Sequence, residues 1–157
     1  MIHLIKMNEN QYNKFFEETV KEYAEENVKE GRWTSSEAMD RARKETHELL
    51  PEGIQTEGHY ICSIQHAVKG QVGTLWYAIK EKKGEKVAFI YSIQLKEAFQ
   101  GMGYGKQALT VLEAGLVSQS VSSIGLHVFG HNERAFQLYR KMGYLATSIK
   151  MKKQLKV

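Results

Sequence analysis

The pattern of hydrophobic and polar positions divides the chain into a helical first part and a longer part rich in strands. Alternation over residues 2–7 predicts a first strand, and Asn8 is a residue type that caps helices. An apolar stripe at helical spacing follows, made by Tyr12, Phe16, Val20 and Tyr23. A second helical run begins at Ser35 or Ser36 and ends near Leu50. Two helices are therefore predicted after the first strand.

Strands dominate the rest of the chain. The predicted strands are His59–Val68, Val72–Ile79, Val87–Leu95, Ser122–Gly130 and a final extended segment, Tyr144–Leu155. Helical periodicity over about Gly103–Val117 and Asn132–Met142 separates the last three of them. The resulting order, β-α-α-β-β-β-α-β-α-β, predicts a mixed α and β protein whose central sheet is covered by helices.

The composition is that of a globular domain. With 157 residues, of which 42% are hydrophobic and 25% charged, the chain suits a single domain with a substantial core. No apolar run has the length of a bilayer span, and the first residues lack a signal-peptide pattern. Cys62 is the only cysteine, so an internal disulfide is excluded. These features predict a cytoplasmic protein.

The charge pattern argues against several classes of partner. The formal net charge of +4 is modest, and much of the excess lies in the final segment. Its lysines are Lys150, Lys152, Lys153 and Lys156. Such lysines are typical of a solvated edge strand, whereas a nucleic-acid site would combine a basic patch with stacking aromatics. We therefore predict neither a nucleic-acid nor a membrane partner, and the histidines show no metal-ligand spacing.

A glycine-rich loop is the strongest chemical signal. Residues 100–106 are Gln-Gly-Met-Gly-Tyr-Gly-Lys, and they join an apolar strand to a helix. Free amide groups at a helix N-terminus bind phosphate, and glycine lets the anion approach because it lacks a Cβ. A dinucleotide-binding loop needs a different glycine spacing, and a P-loop needs Ser or Thr after Lys106. The loop therefore predicts a phosphorylated cofactor, but neither of these two nucleotide-binding folds.

A second block, residues 126–144, combines with the loop into a recognisable pattern. Its landmarks are Asn132, Leu138, Tyr139, Gly143 and Tyr144. The loop contributes Gln100, Gly103 and Gly105 in the order Gln-x-x-Gly-x-Gly. Together the two blocks resemble the GNAT superfamily of acyl-CoA-dependent N-acetyltransferases. The resemblance is specific over about residues 87–144.

The resemblance implies a fold and a reaction. The fold is α+β, an α/β/α sandwich with a mixed, mostly antiparallel central sheet of about six to seven strands flanked by about four helices. Residues 1–157 would form a single N-acetyltransferase domain. The reaction is transfer of an acetyl group from acetyl-CoA, the co-substrate, to a primary amine by direct attack in a ternary complex. The acceptor is a small-molecule amine or an amine of a protein or peptide. Assembly of the chain into a homodimer is compatible with the resemblance.

The same resemblance assigns the residues that hold the co-substrate. Backbone groups of the loop would cradle the pyrophosphate, and the end of the preceding strand would pair with the pantetheine arm. The corresponding residues are Ile93, Gln94, Leu95, Gln100, Gly101, Met102, Gly103, Tyr104, Gly105 and Lys106. Asn132 would contact the pantetheine arm and also cap its helix. Tyr139 would likewise be one of the residues that bind the co-substrate.

Two residues are predicted to transfer protons. Tyr139 matches the general acid of the family, and a phenol with a pKa of about 10 is able to protonate a departing thiolate. Its place on an apolar helical stripe also fits an ordinary core residue. His127 stands where the family often has a glutamate and would accept the ammonium proton, although a lone strand histidine is also a common core residue. His131 is expected to be a solvated loop residue.

The acceptor side of the site is less specific. Six glutamates of the first helix either attract a cationic amine or form a solvated helix face. They are Glu17, Glu18, Glu22, Glu25, Glu26 and Glu30. Trp33, Trp76 and Tyr77 either line a pocket or belong to the core. Because the strand before the loop lacks an acidic residue, a catalytically silent acetyl-CoA-binding sensor is the alternative function.

Overall fold

A computed structural model describes residues 1–156 and shows one five-stranded sheet with helices on both faces. The strands are β1 (Ile2–Lys6), β2 (His59–His66), β3 (Gly70–Lys82), β4 (Glu85–Leu95) and β5 (Val121–Leu126). They lie side by side in sequence order. Neighbouring strands are antiparallel except for β4 and β5, which are parallel and are connected by a helical crossover.

Four helices cover this sheet within residues 1–156. They are α1 (Glu9–Lys29), α2 (Ser35–Leu49), α3 (Tyr104–Ser118) and α4 (Glu133–Lys141), with short 3₁₀ turns at Gly53–Gln55 and Glu97–Phe99. Asn8 caps α1 as predicted: its Oδ1 accepts a hydrogen bond from Gln11 N, and Gln11 Oε1 accepts one from Asn8 N, both at 2.9 Å. None of the described helices is both long and apolar enough to cross a membrane.

The larger core lies between α3 and the sheet. The residues predicted to share one side of α3 are all buried. They are Ala108, Leu109, Leu112 and Leu116. They belong to one cluster with Ile64 of β2, Leu75 of β3 and Ile90 of β4. Because each fully buried leucine contributes about 1.5–3 kcal/mol, this face holds α3 on the sheet and so positions its N-terminus.

The helices α1 and α2 form a layer on the opposite face. Tyr12 and Phe15 of α1 pack on Ile61 and Trp76, and the rings of Phe15 and Trp76 meet edge to face with centroids 6.2 Å apart. Side chains alternate along a strand, so Leu75 points toward α3 while the next residue, Trp76, points toward α1. Trp76 therefore belongs to the α1 side, whereas Tyr77, the residue after it, packs toward α3.

An irregularity in β4 changes which face its residues occupy. The pairing of β3 with β4 skips Tyr91, which is the extra residue of a β-bulge. Ile90 before the bulge and Ile93 after it both pack toward α3, although regular alternation would place them on opposite faces. The bulge therefore turns Gln94, the next residue along, toward α1.

The predicted number of strands, six to seven, is too high for residues 1–156. The segment predicted as a strand over Tyr144–Leu155 pairs with no strand in this part of the chain. The strand β5 is also shorter than predicted: it ends at Leu126 rather than Gly130, because its pairing with β4 stops there. A sequence pattern shows that a segment is able to form a strand, but pairing requires a partner edge within reach.

Gly73 controls how closely β3 approaches β4. A Cβ at this position would lie 2.1 Å from the carbonyl oxygen of Gln94. Gly73→Ala should therefore lower the free energy of unfolding by about 1–3 kcal/mol in urea denaturation. The matched control is Gly115→Ala on α3, where a Cβ meets nothing within 4 Å and helix propensity favours alanine. Equal stabilities of the two variants would contradict this account of β4.

Candidate active site

The strands β4 and β5 separate beyond Ile90 and Leu126, and a cavity opens between them. These two residues are the last paired positions of the parallel pair. The cavity has a volume of about 410 Å³ and extends from the strand ends to α1 and α2. Residues 91–94 and 126–129 form its walls on the side of the sheet. The site is therefore created by the loss of pairing between two neighbouring strands.

The last residues of β4 present a backbone edge to this cavity. Residues 92–95 pair with β3 on one side, but no strand within residues 1–156 pairs with them on the side of β5. The side chains of Ile93 and Leu95 pack toward α3. Their main-chain groups remain for a ligand, and an extended molecule is able to pair with such an edge as an added strand would.

The glycine loop lies at the end of the same strand. Gly101 and Gly103 have φ angles of 77° and 83°, in the left-handed region that favours glycine. The helix α3 begins at Tyr104, with Gly103 at its N-cap position and no side-chain cap. Its first amide groups therefore keep the free donors and the partial positive charge that suit an anion.

Two side chains support the loop from outside. Gln100 Nε2 donates a hydrogen bond to the carbonyl oxygen of Leu95 at 3.2 Å, which ties the loop to the end of β4. Arg134, in the first turn of α4, lies over Gly101: a Cβ on that glycine would be 2.9 Å from Arg134 Nη2. Its guanidinium brings a positive charge to the loop. No local sequence pattern singles out Arg134, because only the fold brings the start of α4 to this loop.

The other loop residues fall into two groups. Tyr104 and Gly105 are buried: the ring of Tyr104 joins the α3 core, and Gly105 lies between leucines of β4 and α4. Met102 and Lys106 are exposed. The loop therefore has a buried base that holds it on the sheet and an exposed tip that a ligand is able to reach.

Asn132 caps α4 and borders the cavity. Its Oδ1 accepts a hydrogen bond from Ala135 N at 3.3 Å. Glu133 in the first turn and Lys141 in the last have the charges that the helix dipole favours. The cap holds the start of α4, and with it Arg134, beside the site.

Tyr139 lies on α4 between the core and the cavity. Its ring packs beside the α3 core, meets Tyr144 edge to face with centroids 5.7 Å apart, and also borders the cavity. Burial raises the pKa of the phenol above its ordinary value. The hydroxyl therefore keeps its proton at neutral pH. Tyr139 therefore lies on the apolar stripe of α4 and also borders the cavity, so the two interpretations of this residue are compatible.

His127 lies just beyond the end of β5 on the cavity wall. Its side chain is exposed, and its ring packs edge-on against Phe129 with centroids 5.0 Å apart. Leu126, its neighbour, packs toward the α3 core instead. The structure therefore places His127 on the cavity and outside the core.

Glu22 of α1 faces the cavity from the side opposite β4. Its Oε1 accepts a hydrogen bond from Gln94 Nε2. The pKa of this carboxyl is raised chiefly by burial; the Gln94 hydrogen bond lowers it, and the charges of Glu26, Glu25 and Glu18 raise it further. The sequence offers six glutamates on α1 without distinguishing them. The bulge that turns Gln94 toward α1 is what singles out Glu22.

His131 lies in an exposed turn before α4, as expected from the sequence, but its ring also pairs with two carboxylates. Its Nδ1 lies 2.9 Å from Glu30 Oε2, and its Nε2 contacts Glu26 Oε2. The hydrogen bonds to Glu30 and Glu26 raise the pKa of the imidazole. This contact ties the loop before α4 to α1 at the rim of the cavity. Glu17, by contrast, pairs with Arg43 at 2.8 Å on the surface.

Aromatic side chains line the inner part of the cavity. Trp76 and Tyr91 stack with ring centroids 4.7 Å apart, and two phenylalanines complete this wall. Trp76 also packs on α1, so it belongs to both the cavity and the core. Trp33 and Tyr77 lie in the cores instead, Trp33 between α1 and α2 and Tyr77 toward α3. An aromatic wall beside carboxylates suits a cationic ligand.

A comparison with known protein families accounts for this arrangement. The model of the Acetyltransferase (GNAT) family matches residues 13–144. This range includes the glycine loop, the second sequence block and every residue that lines the cavity. The chain belongs to the GNAT family. The α/β/α fold predicted from the sequence is confirmed, apart from the lower number of strands.

Two relatives from Bacillus subtilis (strain 168) are similar along almost their whole lengths. YdgE and YycN, each named an uncharacterized N-acetyltransferase, are 36% identical to this chain over 149 and 154 residues. The matches cover 95% of this chain and 95% of YdgE, and 98% of this chain and 99% of YycN. The crystal structure of YycN superposes on 100% of both chains with a TM-score of 0.95 and 35% identity.

More distant structures share the fold alone. The aminoglycoside acetyltransferase meta-AAC0020 from a soil metagenomic sample, solved in complex with sisomicin, gives a TM-score of 0.63 at 15% identity. That superposition covers 99% of this chain and 97% of the other. The family and the two Bacillus relatives show that this GNAT protein is an enzyme, an acyltransferase. The family generally uses acetyl-CoA.

Proposed function

We propose that this GNAT protein transfers an acetyl group from acetyl-CoA to a primary amine by direct attack in a ternary complex. One observation carries the proposal: the free backbone edge of β4 and a carboxylate of α1 face each other across one cavity, and the glycine loop follows at the end of β4. A long anionic co-substrate and a cationic acceptor require these opposite features.

The residues of the site fit acetyl-CoA in two places. The amides of residues 101–106, together with Arg134, supply donors and positive charge for the pyrophosphate. The edge at residues 92–95 supplies main-chain groups for the amides of the pantetheine arm. Gln100 sets the distance between these two places through its hydrogen bond to Leu95. Asn132 borders the same path from α4.

Direct attack also needs a donor for the oxyanion that forms at the thioester carbon. We assign this role to a backbone N–H of β4 on the cavity side, where the strand has lost its partner β5. A covalent acyl-enzyme is not part of the proposal. Cys62 is buried in β2 and does not border the cavity, and burial raises the pKa of its thiol. The amine therefore attacks the thioester itself.

Tyr139 is the proposed general acid. When the tetrahedral intermediate collapses, the sulfur of CoA leaves as a thiolate and takes up a proton. The raised pKa of the phenol keeps Tyr139 protonated until that moment. Its position between Asn132 and the α3 core places it on the cavity wall that α4 forms.

The acceptor amine is proposed to bind beside Glu22 and to pass its proton to His127. A primary amine is protonated at neutral pH and must lose a proton before it attacks. Glu22, Glu26 and Glu45 line the same cavity and attract the ammonium group, and the face of Trp76 adds a favourable contact for a cation. Imidazole is the side chain that titrates near neutral pH. In this proposal Glu22 binds the ammonium group and His127 accepts its proton.

Glu22 also bears on the alternative of a silent acetyl-CoA sensor. That alternative rested on the absence of an acidic residue from Val87–Leu95, the strand predicted before the loop. Glu22 brings a carboxylate to the same cavity from α1, through its contact with Gln94 of β4. The cavity volume suits a small amine or one extended side chain of a peptide. An enzyme acting on a cationic amine is therefore the better supported function.

The deciding experiment measures release of CoA thiol from acetyl-CoA with polyamines, amino acids, aminoglycosides and short peptides. Turnover is expected with one class of acceptor, and Tyr139→Phe should lower kcat by at least about a hundredfold because the thiolate loses its acid. Tyr144→Phe is the control, since the Tyr144 hydroxyl donates to Glu113 away from the cavity. Equal kcat values for wild type and Tyr139→Phe would refute the acid role. Binding of acetyl-CoA without turnover would favour the sensor.

The loop assignment is tested by Gly103→Val. The residue has a φ of 83° at the start of α3, so a side chain there strains the backbone that approaches the phosphates. The dissociation constant for acetyl-CoA, measured by calorimetry, should rise at least about tenfold. Gly84→Val is the matched control, because Gly84 has a φ of 79°, equally open space and a position in the β3–β4 turn. An unchanged constant in Gly103→Val would remove the loop from the proposal.

The acceptor assignment is tested by Glu22→Gln, with the exposed Glu25→Gln as control. Loss of one charge-assisted hydrogen bond should raise KM for the acceptor about ten- to a hundredfold while KM for acetyl-CoA stays unchanged. Since a bound ammonium stabilises the carboxylate, wild-type acceptor affinity should fall as pH decreases through the raised pKa of Glu22. That fall should disappear in Glu22→Gln. His127→Ala should instead lower kcat, because the ammonium group loses its proton acceptor. Wild-type kinetics in both variants would refute both roles.

A further inference from the structure

An arginine borders the acceptor side of the cavity without a carboxylate partner. Arg32 lies in the turn between α1 and α2, and its side chain forms part of the wall of the cavity that Glu22 also lines. None of the ion pairs among residues 1–156 includes Arg32. An arginine keeps its charge at physiological pH and presents five N–H donors in a planar fork. The cavity wall therefore offers a positive charge that the roles proposed for its other residues do not use.

A buried asparagine holds this guanidinium in place. Asn27, near the end of α1, is 0% exposed, although asparagine usually lies at the surface. Its Oδ1 accepts a hydrogen bond from Arg32 Nη1 at 2.8 Å, and its carbonyl oxygen accepts one from Arg32 N at 2.9 Å. Asn27 Nδ2 in turn donates to the carbonyl oxygen of Tyr23 at 2.8 Å. Asn27 thus fixes both the backbone and the side chain of Arg32.

Two arginines pack on the indole ring of Trp33, but of these two it is Arg32 that faces the cavity. The Cζ atoms of Arg32 and Arg41 lie 5.4 Å and 4.9 Å from the ring centroid. Arg41 pairs with the carboxylate of Glu37 at 2.8 Å and does not border the cavity. Arg32 is held by the neutral amide of Asn27 instead. A guanidinium with a neutral partner keeps its full charge for an anionic ligand.

The carboxylates of the same cavity do not neutralise Arg32. Glu26 contacts the imidazole of the loop before α4, and Glu45 accepts a hydrogen bond from a tyrosine hydroxyl of α1 at 2.9 Å. Glu22 lies against β4, on another wall of the cavity. The cavity therefore presents a carboxylate and a guanidinium at separate places, as a ligand with one ammonium and one anionic group requires.

The phosphates of the co-substrate do not account for Arg32. They are assigned above to the glycine loop, residues 101–106, and to Arg134 beside it. None of these residues lines the cavity that Arg32 borders. Three carboxylates also line this cavity, and they would repel a doubly charged phosphate more strongly than a singly charged carboxylate. A carboxylate matches the guanidinium fork with two parallel hydrogen bonds, so it is the anion that suits Arg32.

We propose that Arg32 binds the carboxylate of the acceptor, and that the acceptor is therefore a free amino acid. This assignment rests on the proposed function, in which Glu22 binds the ammonium group of the same molecule. Two charged groups held at two places fix the amine relative to the thioester. Polyamines and aminoglycosides have no carboxylate and would leave Arg32 without a partner. Arg32 is thus a residue that determines specificity and does not contact the reacting atoms.

Matched acceptors test the assignment with wild-type protein. Release of CoA thiol is measured with the common amino acids, with their carboxamides and with the corresponding decarboxylated amines, for example lysine, lysinamide and cadaverine. At least one amino acid should give a kcat/KM about ten- to a hundredfold above that of its amide, because the amide cannot form the charged pair. Equal values for acid and amide in every active pair would overturn the assignment and leave acetyl transfer intact. So would turnover of polyamines or peptides alone. No turnover with any acceptor would overturn the proposed function as well.

Arg32→Gln provides the second test, with Arg41→Gln as the matched control. Glutamine keeps an N–H donor but loses the charge, and both arginines are exposed, so neither change disturbs the core. Arg32→Gln should lower kcat/KM for the preferred amino acid about ten- to a hundredfold, to the value for its amide. KM for acetyl-CoA should not change.

The remaining variants separate charge from geometry. Arg32→Lys keeps the charge without the planar fork and should retain part of the preference for the acid. Arg41→Gln removes the other cation from the same indole ring and should retain all of it. A preference for the acid that persists in Arg32→Gln would overturn the assignment, and so would its equal loss in Arg41→Gln.

Discussion

The separation of β4 from β5 is the constraint on which the rest of the site depends. Gly73 lets β3 come so close to β4 that no Cβ fits between them, and β4 therefore follows β3 along its whole length. The bulge at Tyr91 bends the strand at the point where it leaves β5. Beyond this point β4 and β5 are no longer hydrogen-bonded to each other, which leaves one backbone edge of β4 free and opens the cavity beside it. The α3 core holds the glycine loop at the end of that edge.

Opposite charges are arranged along this opening. The amide ends of α3 and the guanidinium of Arg134 lie at the end of β4, whereas Glu22, Glu26 and Glu45 face the cavity from the helical layer. A phosphorylated co-substrate and a cationic amine would therefore be attracted to different parts of the same cleft. The net charge of +4 contains no information about this arrangement, because it sums over groups that point in all directions. The proposed ternary complex requires such a separation of charge.

Much of the fold could be predicted because it depends on local patterns. The buried side of α3 follows from leucines spaced three and four residues apart, and Asn8 was predicted as a cap from its residue type alone. The glycine loop was found because consecutive backbone groups make its chemistry, so no distant residue is needed to recognise it. The strand count was overestimated at Tyr144–Leu155, where the pattern of a strand is present but no strand among residues 1–156 pairs with the segment.

The sequence alone was therefore enough for most of the elements, the glycine loop and the GNAT family. The folded chain was needed to show that Glu22, among six glutamates, meets Gln94, and that Arg134 reaches Gly101. It was also needed to show that, among residues 1–156, the segment after α4 pairs with no strand. The physical reason is that these contacts join elements distant in sequence. The bulge at Tyr91 decides the face of Gln94, and the packing of α4 decides the position of Arg134, and no local periodicity encodes either.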